Sequence, residues 1–159
     1  AFNSTDLYTP NVLGLWVAQD LDEPDRYAPF LLQGGLGMPD RDYYLDPSPR
    51  MAEVRESYLR HAAKVLDLAT VADPGAVAER VVALETRIAR THATREESSD
   101  VAKGNNRWTR EDFARRAPGL DWDAFFDAAG LGAQRSFVVW QPGAVTGLAA
   151  LVRDVPLST

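Results

Sequence analysis

The stretch Gln33-Gly34-Gly35-Leu36-Gly37-Met38-Pro39-Asp40-Arg41-Asp42-Tyr43-Tyr44-Leu45 constrains this chain more than any other part of it. Three glycines within four positions let the backbone take a positive φ or run close against another segment, at an entropic cost that a plain linker has no reason to carry. Pro39 fixes its own φ and biases Met38 toward an extended conformation. Asp40, Arg41 and Asp42 then offer carboxylates and a planar guanidinium for charge-assisted hydrogen bonds, and two tyrosines add large apolar surfaces with polar tips. The pattern predicts an ordered, partly buried crossing between two structural layers. Gly34, Gly35, Gly37, Pro39, Arg41, Asp42, Tyr43 and Tyr44 are the residues expected to build it.

The flanking sequence says what is joined. Two short apolar runs, at about 12–19 and 27–33, are separated by the polar turn Asp20-Leu21-Asp22-Glu23-Pro24-Asp25. They predict a two-stranded antiparallel ribbon, with Pro29 placing the second strand at an edge. After the crossing, Ser48-Pro49 supplies an N-cap and an N1 proline. Met51, Val54, Tyr58, Ala62, Val65 and Leu66 then repeat at helical spacing to about residue 72. Asp73-Pro74 repeats the start signal, and Val77, Val81, Leu84 and Ile88 mark one stripe of a second helix over about 74–97. The short join predicts an antiparallel helical hairpin.

Residues 98–106 read as irregular. Thr109-Arg110-Glu111-Asp112 resembles a capping box opening a helix over about 109–117. Asp121 opens another over about 121–129, and Pro142 a last one over about 142–153. Phe137-Val138-Val139-Trp140 reads as a brief strand. Trp122, Phe125, Phe126, Phe137 and Trp140 form a predicted satellite core under the last helix, and any that are exposed would mark a surface meant for another domain. The fold class is thus mostly α with a small β element, arranged as a single domain over 1–159.

A chain of 159 residues suits one domain that buries roughly 70% of its unfolded surface. With 17 basic and 23 acidic side chains the net charge is −6, which argues against nucleic acid or an anionic membrane as a partner. No apolar run approaches the roughly 20 residues of a spanning helix. The absence of cysteine excludes disulfides and thiolate metal sites.

The crossing motif also resembles the G-G-L-G-[LM]-P-x-R-D-Y-Y signature of the neprilysin-like zinc metallopeptidases, which include endothelin-converting enzymes and bacterial oligopeptidases. The similarity extends from about Leu7 to Arg153 and takes in Leu84-Glu85-Thr86-Arg87-Ile88-Ala89 and Asp121-Trp122. Two departures stand out: Asn105-Asn106 replaces a usual Tyr-Asn pair, and Ser99-Asp100 replaces a usual Arg-Asp. The resemblance implies a parent enzyme that hydrolyses short peptides with zinc, built from a catalytic domain and a mainly helical part that roofs a deep cavity. This chain would belong to the roof, with the catalytic domain of the same polypeptide as its intramolecular partner. The resemblance leans slightly toward an extracellular or cell-surface setting and leaves a cytoplasmic one open. The family's His-Glu-x-x-His helix, its downstream Glu-x-x-x-Asp and its Asn-Ala-x-[Tyr/Phe] motif do not occur here. No catalytic, cofactor-binding or metal-ligating residue carries over, and zinc is expected only in the parent.

Other groupings have plainer readings. His61 and His92, with Glu53, Glu56 or Glu96, could be drawn into a zinc site, but a zincin needs two histidines one helical turn apart, and these lie on different helices. Asp20, Asp22, Glu23 and Asp25 lack the length and central glycine of a calcium loop and read as a solvated turn. Asp40 and Asp42 read as a structural Arg–Asp network rather than a catalytic pair. Arg107, Arg110, Arg115 and Arg116 form a basic stretch whose default is a solvated helix face. The rival to a peptidase fragment is a stand-alone helical module that binds peptide or protein without catalysis.

Overall fold

The two apolar runs pair as expected, and two further strands then join them. A computed structural model describes residues 11–155. Strand β1 (Leu13–Gln19) runs antiparallel to β2 (Tyr27–Gln33) in the register Leu13↔Gln33 to Gln19↔Tyr27. A short helix α1 (Asp42–Leu45) follows the crossing, then the hairpin of α2 (Pro49–Leu68) and α3 (Pro74–Thr91). Next come α4 (Arg95–Ser99), α5 (Val101–Gly104), β3 (Asn106–Thr109), α6 (Arg110–Arg116), α7 (Trp122–Ala128), β4 (Ser136–Val139) and α8 (Pro142–Asp154). The sheet order is β1-β2-β4-β3, with β2 parallel to β4 and β3 antiparallel to it.

The expected ribbon is therefore half of a four-stranded sheet, and β2 is an inner strand despite Pro29. The Asp20 N–H donates to the Arg26 carbonyl at 2.9 Å, closing the β1–β2 turn. Counting back along the register, Pro29 opposite Val17 falls on a non-hydrogen-bonded pair, so β1 asks no N–H of it. The parallel pairing to β4 covers Phe30↔Val138 and Leu31↔Val139, just past the proline. The ring thus displaces no ladder hydrogen bond on either side.

One face of this sheet carries the main core. Leu13, Leu31, Trp108, Phe137 and Val139 meet Phe113 of α6, Trp122 and Phe126 of α7, and Val145, Leu148 and Ala149 of α8. The rings interlock, with Phe126 and Phe137 stacked at 4.0 Å between centroids and Trp108 edge-on to Phe113 at 5.0 Å. The buried Trp122 indole N–H donates to the Ala117 carbonyl at 2.8 Å. Trp122, Phe126 and Phe137, expected as a satellite cluster, are in fact the centre of the principal core, with Phe125 packed against it. Trp140 belongs to the opposite sheet face, against Phe30.

The hairpin forms with shorter helices than the periodicity predicts. Ser48 caps α2 by accepting from the Met51 N–H, and Asp73 caps α3 by accepting from the Ala76 N–H. Helix α2 stops at Leu68 instead of near 72: the Val71 N–H reaches back to the Leu66 carbonyl and the Thr70 N–H to Asp67. That is a Schellman closure with Thr70 at φ 57°, where glycine would be the usual occupant and the usual signal. Helix α3 ends at Thr91, and the predicted continuation into the mid-90s is a separate helix. Thr94 and Glu97 form a reciprocal capping box that starts α4 afresh. The supposedly irregular 98–106 is also structured, because Asp100 caps α5 and Asn106 begins β3. Among the later helices, α6 (expected 109–117), α7 (121–129) and α8 (142–153) lie within a residue or so of expectation.

Candidate functional site

The Gly-rich crossing connects the sheet to the hairpin and is tied to both. Gly35 has φ +83°, and an added Cβ would lie 2.9 Å from the Val12 Cα. At Gly37 an added Cβ would lie 1.9 Å from the Tyr58 hydroxyl, so the absence of a side chain lets α2 approach the crossing. The crossing is thereby pinned between the start of β1 and α2.

Glu85, on α3, is the hub beneath it. Its carboxylate accepts from the Tyr44 hydroxyl at 2.9 Å, the Tyr58 hydroxyl at 3.1 Å and the Gly37 N–H at 3.2 Å. The Tyr44 hydroxyl in turn accepts from the Met38 N–H at 2.9 Å, and its ring stands edge-on to Tyr58. One carboxylate so joins the crossing, α1, α2 and α3. Burial raises the Tyr44 phenol well above its ordinary range, and burial followed by the Glu85 contact pushes Tyr58 up to about 12. Both phenols are therefore fixed as neutral donors.

A second set of bonds ties the crossing's start to the end of α3. The Gln33 side chain pairs with the Ala93 backbone in both senses, accepting at 2.8 Å and donating at 3.2 Å, while the Gln33 N–H donates to Gln141 Oε1 at 2.9 Å. His92 is buried and lies 3.1 Å from the Gly34 carbonyl through Nε2, which requires the proton on Nε2. Burial lowers its pKa below the ordinary histidine value, so the ring is neutral.

The charged triplet is arranged differently from expectation. Asp40 accepts from Arg95 of α4 at 2.5 Å and from the Asp42 N–H at 2.9 Å; its guanidinium partner is Arg95, not Arg41. Arg41 caps α1 by its backbone position, and its Nε is buried without a hydrogen-bond partner among the described residues. Asp42 is exposed. The Tyr43 carbonyl accepts from Arg55 of α2 at 3.1 Å.

The β1–β2 turn is also more than a solvated loop. Asp20 is only 8% exposed; its Oδ1 accepts from the Asp22 and Glu23 N–H groups and from the Arg107 guanidinium. The Arg107 hydrogen bond holds its carboxyl far below the usual range. Asn105, at one departure from the signature family, donates to Asp22 at 2.8 Å. The other arginines of the basic stretch are engaged as well. Arg110 donates to the Gln134, Leu131 and Gly132 carbonyls and pairs with Asp123, while Arg115 and Arg116 share Asp112.

The histidines do not assemble a metal centre. His61 is exposed on α2 and His92 is committed to Gly34. Among the described residues no group of three or more His, Asp or Glu side chains is placed to hold an ion. The donors among the described residues therefore do not fit a zinc site. Sequence reasoning named Gln33, Glu85 and His92 without assigning them these bonds, and it missed Gln141 altogether. The signal for Glu85 was a carboxylate beside the apolar stripe of α3.

Against known proteins, the profile for the N-terminal part of peptidase family M13 matches residues 2–159. The chain belongs to peptidase family M13. The M13 assignment agrees with the neprilysin-like signature of the crossing and with solved structures. A crystal structure of the Mycobacterium tuberculosis zinc metalloprotease Zmp1 in complex with inhibitor superposes with a TM-score of 0.86 at 28% identity, over 94% of this chain and 23% of that one. A cryo-EM structure of Zmp1 in an open state gives 0.85 at 30% identity, over 93% and 23%. A partial open state of the same metalloprotease gives 0.64 at 30%, over 77% and 19%. The M13 chain thus spans less than a quarter of the length of the solved chains it resembles. Among its described residues no helix is long and apolar enough to cross a membrane.

Proposed function

We propose that this chain is the helical wall of an M13 zinc metalloendopeptidase that hydrolyses short peptides. The zinc, the nucleophilic water and the general base come from another part of the same polypeptide. The observation that carries the reading is the family match over residues 2–159; among the described residues no three His, Asp or Glu side chains are grouped to hold an ion. In such a parent the metal would polarise the scissile carbonyl and activate water. The residues described here would contribute shape: a single domain whose hairpin, locked through Glu85 to the crossing, limits what reaches the cavity. Exclusion and positioning of that kind need stiffness rather than reactive side chains.

The test has two arms. The 159-residue chain, with or without added zinc, should not turn over quenched fluorogenic peptides, whereas the parent should do so and lose activity to a chelator. In the parent, Glu85→Ala should raise cleavage of long substrates relative to short ones as the wall loosens. Turnover by the 159-residue chain alone, or an unchanged ratio of long to short substrates in a demonstrably loosened Glu85→Ala parent, would overturn the reading. The rival, a stand-alone binding module, predicts instead that the gene encodes no His-Glu-x-x-His.

A further inference from the structure

Strand β1 is an outer strand of the sheet, and its free edge carries none of the features that keep such edges from pairing. Among the described residues it pairs only with β2. The bond from the Asp20 N–H to the Arg26 carbonyl sets the alternation along it. Gly14, Trp16 and Ala18 exchange hydrogen bonds with β2, while Leu13, Leu15, Val17 and Gln19 direct their N–H and C=O groups away from it. Natural proteins blunt such an edge with lysine, proline, a bulge or a very short strand. β1 holds no charged residue and no proline, and its register to β2 runs unbroken over seven residues. The other outer strand shows the contrast: β3 is four residues long and carries Arg107.

Two large apolar side chains on β1 stand in solvent, Trp16 at 60% exposure and Val17 at 59%. Trp16 lies opposite Phe30 and so shares the sheet face of Phe30, Val138 and Trp140. Its neighbours along the strand on that face are Gly14 and Ala18, both small. The strand that suits this edge is uncharged, offers outward groups at every second residue, and leaves room beside a central indole. That is the pattern of β1 itself.

We propose that β1 is a self-association edge, through which two copies of this chain pair their β1 strands antiparallel about a twofold axis at Trp16 and join their sheets into one. This is the register that pairs all seven residues. It sets Leu13 opposite Gln19 of the copy and Leu15 opposite Val17, and these are the residues whose N–H and C=O groups face outward, so each pair exchanges two hydrogen bonds. The two Trp16 side chains meet at the axis in a non-hydrogen-bonded pair, the closer kind, with Gly14 of each strand opposite Ala18 of the other. A slip of one residue would oppose outward groups to inward ones and forfeit the ladder. Beyond the strand, Asp20 falls opposite Val12, so the acidic turn does not meet its own copy. The interface is isologous, and it stands apart from the peptidase reading because it needs no catalytic residue.

The absence of cysteine lets the register itself be tested. Non-hydrogen-bonded partners have Cα atoms about 4.5 Å apart, within the span of a disulfide. An added Cβ at Gly14 meets no atom outside its chain neighbours closer than 3.5 Å, so Gly14→Cys fits the strand. Chains carrying Gly14→Cys and chains carrying Ala18→Cys, mixed in a glutathione redox buffer, should form a reducible mixed dimer. Either variant alone should form far less, because two Gly14 positions lie about 13 Å apart along the paired strands. Sedimentation velocity over a concentration series should show a monomer–dimer equilibrium for the unmodified chain. Val17→Pro leaves the β1–β2 ladder intact and removes one outward donor from each copy, so it should weaken dimerisation about 30-fold. Both measurements are made on the 159-residue chain and on the full-length gene product. A monomer at every concentration overturns the proposal, as does a mixed disulfide that forms no faster than those of the single variants. Undiminished dimerisation of Val17→Pro, with its circular dichroism unchanged, would assign the dimer to another surface and overturn it too. Dimerisation of the 159-residue chain that is lost in the full-length product also counts against it.

Discussion

Replacing Glu85 by alanine tests the crossing at its hub. The carboxylate accepts three hydrogen bonds, from Tyr44, Tyr58 and Gly37. Hydrogen bonds to a charged acceptor contribute about 1.5–3 kcal/mol when buried, but this cluster is only partly buried and Gly37 is close to solvent, so about 1 kcal/mol for each is the better figure. Glu85→Ala should then cost about 2–3 kcal/mol. In a domain of this size each kcal/mol moves Tm by roughly 2–4 °C, so the midpoint should fall by about 5–10 °C. Thermal unfolding followed by circular dichroism, with urea titration as a second probe, reads this directly. Glu85→Gln keeps one acceptor oxygen and turns the other into a donor facing a hydroxyl, so it should fall between alanine and wild type. Combining Tyr58→Phe with Glu85→Ala should give less than the sum of the two losses, because they share a bond. A Glu85→Ala variant melting within about 1 °C of wild type would refute the hub. Additive losses would show that Tyr58 and Glu85 act separately.

The other predictions concern pH and backbone strain. His92 is held neutral by burial, so below about pH 6.5 the unfolded chain binds a proton that the folded chain does not, and stability should fall as pH drops. His92→Gln should flatten the difference between urea midpoints at pH 7.5 and pH 5.5, and an unchanged slope would contradict the buried neutral ring. Asp20, depressed mainly by its hydrogen bond from Arg107, contributes stability that is present above about pH 4 and lost as pH falls below it. Asp20→Asn should lower Tm at neutral pH and weaken the acid sensitivity of unfolding; a variant as acid-labile as wild type would argue against that pair. Thr70 takes the left-handed conformation at the end of α2, at a cost of about 1–2 kcal/mol that glycine avoids while giving back part in entropy. Thr70→Gly should therefore raise Tm by about 1–4 °C, and a decrease in calorimetric Tm would show that the Thr70 side chain compensates for its backbone.

What could be read without coordinates was whatever one turn of chain decides for itself. Ser48-Pro49, Asp73-Pro74 and Thr109 with Asp112 announced their helices, because a cap satisfies backbone groups two or three residues away, and Pro142 announced α8 by its fixed φ at the first helical position. The same locality made the signature legible as a crossing, since Gly35 must accommodate a positive φ wherever the rest of the chain lies. Thr94 with Glu97 was an equally local signal, passed over because the second helix was expected to continue to about residue 97.

The tertiary structure decided the rest. Asn106-Arg107-Trp108-Thr109 has no strand pattern and becomes β3 only because β4 offers it an edge. β2 became an inner strand because a segment about a hundred residues later lies parallel to it, beyond the reach of any pattern within the ribbon. Glu85, His92 and Asp20 gained their roles from partners dozens of residues away. A carboxylate or imidazole reveals its chemistry but not its neighbour, and in a folded chain the neighbour determines whether that group is solvated, paired or buried neutral.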